Sequence, residues 1–237
     1  MGNKVIVGIH QPNFLPWLGY FYKMAKCDAF VLLDNVQYTK NSFINRNRIK
    51  TPQGVKWLTV PVKIKGRFGQ LIKNVEINDT VDWRKKHLGT LEANYKKTRF
   101  FELIFQGLKA IYYTDDWSNL CELNIQLLKW VLSVLGLEKK LVRASDLNVE
   151  GESTQLLISI VKEIGGNIYL SGFGGAKYQE EELFKEAGIT LAYYEFEHPV
   201  YPQLWSGFVS NLSITDLLFS YGPESLNIIL RNKEGSK

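Results

Sequence analysis

The first 34 residues constrain the fold most. Lys4 to His10 forms a short apolar run of strand character, and Pro12 and Pro16 hold the next segment extended. Gly19 to Cys27 has the pattern of a short helix, and Ala29 to Leu33 (AFVLL) is a second strand ending on Asp34. Strand, loop, helix and strand in that order make a βαβ unit, whose two strands must lie parallel because the crossover returns the chain to the edge it left. In parallel sheets ligands bind beyond the carboxyl ends of strands. His10-Gln11 and Asp34-Asn35 occupy two such ends.

The same alternation returns late in the chain. Lys140–Arg143 reads as strand, Ser153–Ile164 as helix, Asn167–Leu170 as strand, then a Gly-rich loop, a short helix and the strand Thr190–Glu195. Ser213–Tyr221 and Glu224–Leu230 close the chain as helices. Residues 35–55 read as a long polar loop with room for one short strand, and Trp57–Lys63 (WLTVPVK) as a strand whose Pro61 favours an edge or a bulge. Apolar periodicity predicts helices over Asp82–Tyr95, Phe100–Tyr112 and Trp117–Leu135. The expected fold is α/β: a mostly parallel, Rossmann-like sheet with an inserted helical subdomain. Residues 1–80 form an N-terminal α/β half with a basic loop, 81–137 a helical segment and 138–237 a C-terminal α/β half, integrated into one domain.

Composition narrows the class. Hydrophobic residues at 45% and charged residues at 22% suit a water-soluble globular chain. No apolar run reaches the length of a membrane span, and the opening MGNKVIVGIHQP reads as a strand and not as a signal peptide. Cys27 and Cys121 lack metal-pair spacing, and no metal site is expected; both fall in helical patterns, as buried thiols of a reducing cytosol. Charge is uneven. Residues 1–100 hold 18 basic against 6 acidic side chains, while the remainder holds 11 against 18. No acid lies between Asp34 and Glu76, a window with nine Lys and Arg. Such a field attracts anions: a nucleotide or phosphosugar, or nucleic acid, unless the face is merely solvated.

Four segments carry the candidate chemistry. In the first, His10, Gln11, Asn13 and Tyr20 lie on the proline-braced loop, where a neutral imidazole serves as acid/base or as a phosphate donor. The second holds Asp34, Asn35, Gln37 and Lys40, followed by Arg46, Asn47, Arg48 and Lys50. A carboxylate at a strand end beside amides and clustered cations suits sugar hydroxyls next to a diphosphate. The third, YLSGFGGAKY, offers Ser171, Gly172, Lys177 and Tyr178 on a loop that is either a binding loop or a plain tight turn. It lacks the ending of a Walker A loop. In the fourth, Tyr201 and Gln203 face a sugar or base, and Ser213 with Asp216 has the signature of a helix start. His10 and Asp34 are the candidate catalytic pair. His10 and Ser171 are expected across one cleft, with the basic loop along one side.

Taken together, IHQPNFLPWLGYFYK, DNVQYTK with RNRIK, WLTVPV, YLSGFGGAKY and YPQ–F–NLSITDLLFSYG resemble the WbqC-like protein family over almost the whole chain. That family is named from O-antigen gene clusters. The resemblance therefore implies sugar-nucleotide or surface-glycan metabolism; the expected activity is that of an enzyme acting on a nucleotide-linked sugar for surface polysaccharide, with acyl or aminoacyl transfer to an amino sugar as one candidate reaction and ATP or an acyl or aminoacyl donor as candidate co-substrates. It hands over no set of catalytic residues. A remoter similarity is to the nucleotidyltransferase fold, whose HxGH motif would fall on Trp17-Leu18-Gly19-Tyr20; only the glycine matches. The alternative is a non-catalytic nucleic-acid or glycan binding module.

Overall fold

A parallel strand buried on both faces must be apolar throughout, and the AFVL run at Ala29–Leu32 is buried at all four positions. The computed structural model describes residues 4–231, with the side chains of 176–178 outside that description. In chain order its elements are β1 (Ile6–His10), α1 (Leu18–Ala25), β2 (Ala29–Leu32), β3 (Arg46–Thr51), β4 (Gly54–Thr59), α2 (Trp83–Tyr95), α3 (Phe101–Thr114) and α4 (Leu120–Leu135). They continue with β5 (Lys140–Arg143), α5 (Ser153–Glu163), β6 (Ile168–Gly172), α6 (Glu181–Glu186), β7 (Thr190–Tyr194), α7 (Ile214–Tyr221) and α8 (Ser225–Leu230). The chain divides into two compact units, one of residues 4–11, 20–35 and 139–197 and the other of residues 12–19, 36–138 and 198–231.

The first unit holds a five-stranded sheet in the order β5-β2-β1-β6-β7, with every neighbouring pair parallel. Numbered by appearance, these strands run third, second, first, fourth, fifth, which is the Rossmann-like order. It reverses between β1 and β6, so the crossovers on either side depart in opposite directions and leave a crevice at the carboxyl edge. The first βαβ unit lies as the sequence predicts. Gly8 is required by close approach: a Cβ there would sit 3.0 Å from both Cys27 Sγ and the Phe30 ring. Cys27 and Cys121 are both buried thiols.

The second unit is mainly helical. Asp82 and Asn119 cap α2 and α4 by accepting from Lys85 N and Glu122 N, and Gly136 ends α4 in the left-handed conformation. Trp83, Tyr95, Tyr112, Leu127 and Phe219 fill its core. The polar stretch with room for one short strand contains β3, paired antiparallel with β4 in a hairpin that forms its own two-stranded sheet. The strand is weakly marked in composition because its buried positions include Asn47 and Lys50, both 2% exposed. Asn47 can be buried because its amide donates to the carbonyls of Phe14 and Leu15. The Gly-rich segment after β6 takes the form of a 3-10 turn over Phe173–Tyr178.

Candidate functional site

The site begins with a broken ladder. In a strand successive carbonyls point to opposite neighbours. Val5 O accepts from Asn167 and Ile168 on the β6 side, while Ile6 O and His10 O accept from Asp28 and Leu33 on the β2 side. Ile9 O therefore faces β6. Pairing of β1 with β6 ends at Gly8↔Leu170, however, although both strands run two residues further. The Ile9 carbonyl is instead taken by Lys23 Nζ at 2.7 Å. Lys23, on α1, is 3% exposed, and its ammonium lies 5.6 Å from the Tyr169 ring centroid. No carboxylate pairs with it among the described residues. Burial lowers its pKa to about 8, so it remains largely charged at neutral pH. An ammonium thus occupies the point where the two strands diverge.

The strand ends around it are held firmly. His10 Nδ1 lies 3.1 Å from Gln11 O, and because a carbonyl only accepts, the proton resides on Nδ1. Tyr20 OH donates to the same carbonyl at 3.0 Å and its ring meets the imidazole edge-on at 4.6 Å. Desolvation first, then the charge of Lys23, lowers the His10 pKa to about 4. His10 is therefore neutral, with the lone pair of Nε2 open. Asp34 is fully buried after β2. Its carboxylate accepts from Arg143 Nε at 2.9 Å, Ser145 N at 2.9 Å and Ser145 Oγ at 2.8 Å, which ties the end of β2 to the turn after β5. The Oδ1 of its neighbour Asn35 is buried without a partner. Beyond β6, Ser171 is 2% exposed and accepts from Gln179 Nε2 at 2.8 Å, leaving Gln179 Oε1 buried and unpaired.

Counted on from the last pair, Gly8↔Leu170, Ile9 corresponds to Ser171 and His10 to Gly172. The two strand ends are neighbours, as a parallel sheet requires, but pleating sends the His10 and Ser171 side chains to opposite faces. The sheet edge accordingly carries one buried cation, Lys23, and His10 Nε2, and near it lie two buried acceptors without a partner among the described residues, Asn35 Oδ1 and Gln179 Oε1. It also carries Gln11, Tyr20, Asp34 and Gly172.

The other candidate residues belong to the second unit. Asn13 is buried, and Gln37 and Lys40 are exposed. Arg46 donates to Asn41 O and stacks 4.3 Å over Trp57, and Arg48 donates to Asn211 O at 2.9 Å. Lys50 Nζ donates to Trp205 O at 3.1 Å and to Gly207 O. Tyr201 OH donates to buried Asp216 at 3.0 Å, and Tyr95 OH donates to the same carboxylate at 2.8 Å. Gln203 both donates to and accepts from the Val209 backbone, pinning that loop. Ser213 caps α7, as its spacing predicts. The side chains of Lys177 and Tyr178 lie outside the described residues. Sequence reasoning passed over Lys23 and Gln179. The available signal for Lys23 was a lone cation inside the apolar helix LGYFYKMA; for Gln179 there was none.

Comparison with known proteins adds the lineage. The chain is 40% identical over 220 residues to an uncharacterized protein of Mycobacterium tuberculosis, Rv1507c, an alignment spanning 92% of this chain and 95% of that one. No solved structure matches significantly. Among the described residues, no helix is long and apolar enough to cross a membrane. The model of the WbqC-like protein family matches residues 11–228, and the chain belongs to that family.

Proposed function

We propose that the sheet unit is the core of an enzyme acting on a nucleotide-linked sugar in bacterial surface-polysaccharide assembly, transferring an acyl or aminoacyl group to an amine of that sugar. The observation that carries this reading is the buried Lys23 ammonium at the switch point, with no carboxylate on it among the described residues and with neutral His10 on the strand end it contacts. An unpaired buried cation is costly to a fold unless an anion uses it. A nucleotide-linked sugar brings a diphosphate to such a cation and an amine donor to His10 Nε2. The family resemblance supports the glycan context. In this reading the sugar amine donates to His10 Nε2. As its nitrogen bonds to the donor carbonyl, the bond to the donor's leaving group breaks, and the amine proton passes by way of His10 to that group. An acyl or aminoacyl carrier, or a carboxylate activated by ATP, is the donor. Asp34 acts indirectly by holding Arg143 and the turn after β5 at the sheet edge.

A thermal-shift screen of UDP-, CDP-, GDP- and dTDP-linked sugars tests the reading. A ligand at about a hundred times its Kd adds about 2.7 kcal/mol of stability. His10→Ala should then abolish product formation while melting stays within about 3 °C of the parent. If no nucleotide-linked sugar stabilises the protein, the reading fails. If one binds but no donor yields product, the protein is a binding module. If His10→Ala melts several degrees lower and retains turnover, His10 is structural.

A further inference from the structure

In the second unit, α2 and β4 flank an open groove of about 700 Å³. His87 ties the two elements together at its base, with Nε2 3.0 Å from Thr59 O. Lys56 and Trp57 line the strand side, and Lys85, Lys86 and Gly89 line the helix side. No carboxylate lines it, and none of its three ammonium groups forms an ion pair among the described residues. Trp57 is 40% exposed, unusual for so large an apolar side chain, and Arg46 is stacked on its ring at 4.3 Å. Gly89 sits in the middle of α2, where glycine costs helix stability relative to alanine. Packing does not demand it there, because a Cβ at that position would meet nothing within 4 Å. The absent side chain leaves the groove open.

We propose that this groove binds a ring-bearing phosphate ester, a phosphosugar or a nucleotide, with the ring on Trp57 and the phosphate among Lys56, Lys85 and Lys86. The three cations without counter-anions match a phosphate. An exposed indole matches the flat face of a sugar or base. The volume is that of a small-molecule site. The site is separate from the sheet-edge reading and does not depend on it.

Calorimetric titration of the full chain with glucose 1-phosphate, UDP and neutral glucose tests this, using the parent, Gly89→Leu, the pair Lys85→Glu with Lys86→Glu, and Lys23→Met. Leu is a better helix former than Gly and meets open space, so Gly89→Leu should melt at or above the parent temperature. Glucose 1-phosphate or UDP should bind the parent and Lys23→Met, and glucose should not. Whichever of the two binds more tightly identifies the occupant as a phosphosugar or a nucleotide. Gly89→Leu and the charge-reversed pair should each weaken binding by about tenfold or more, the equivalent of at least about 1.4 kcal/mol. The proposal is overturned if neither phosphate ester binds the parent. It is equally overturned if binding survives in Gly89→Leu and the charge-reversed pair, or is lost only in Lys23→Met.

Discussion

Lys23 illustrates how one side chain sets the character of a site. Its ammonium occupies a carbonyl that a strand amide would otherwise satisfy, and it keeps β1 and β6 apart beyond Gly8 and Leu170. Burial depresses its pKa from 10.5 to about 8, so the folded state carries a penalty that is absent above pH 10.5 and complete below about pH 8. Lys23→Met keeps the length and removes the charge. The released penalty exceeds the cost of leaving one carbonyl unpaired, so the variant should be stabler at pH 7 by about 1 kcal/mol or more, a rise of roughly 2–4 °C in melting temperature. Under the functional reading it should also lose affinity for nucleotide-linked sugars. A fall in melting temperature would make Lys23 a structural strut.

Among the elements, the β3–β4 hairpin and α2 show how a polar side chain joins secondary structures. His87 on α2 reaches Thr59 O at the end of β4 with Nε2 and the Tyr112 hydroxyl of α3 with Nδ1. A carbonyl cannot donate, so Nε2 carries the proton and Nδ1 accepts from Tyr112; the ring is neutral. Burial lowers its pKa from 6.5 to about 4. The folded pKa lies below the unfolded one, so this contribution is present above pH 6.5 and is lost as the pH falls toward 4. The expected loss is about 3 kcal/mol, or roughly 5–10 °C. Melting curves of the parent and His87→Gln from pH 7 to pH 4 check it: the parent should lose more over that range, and parallel curves would remove His87 as the cause. The helices of this unit were legible from apolar periodicity. Strand β3 was legible only as room for one short strand in a polar stretch, because its burial depends on acceptors supplied by Phe14, Leu15, Trp205 and Gly207, which lie far away in sequence.

At the scale of the whole molecule, the basic window looks like a polyanion surface and is largely committed elsewhere. Arg46, Arg48 and Lys50 donate to backbone carbonyls, and Lys63 and Arg67 bind Glu76, whose pKa their hydrogen bonds lower to about 2. Four cations of that window, Lys40, Lys56, Lys65 and Lys73, remain for phosphates. Affinity for random single-stranded DNA should accordingly fall with salt at a slope no steeper than about −3 on logarithmic axes. A slope of about −5 or steeper in a filter-binding titration would restore nucleic acid as a partner. Local pattern alone determined the βαβ opening, the parallel sheet, the three long helices and the placing of His10 and Asp34 at strand ends. Each of these follows from periodicity and short-range connection, which adjacent residues encode. Tertiary structure decided which strands neighbour one another, that His10 and Ser171 leave opposite faces, that Asp34 is held by Arg143 and Ser145, and that Lys23 is buried with no carboxylate on it among the described residues. A side chain's partners and solvation are set by segments more than a hundred residues away, as with Asp34 and Arg143, and no local pattern records them.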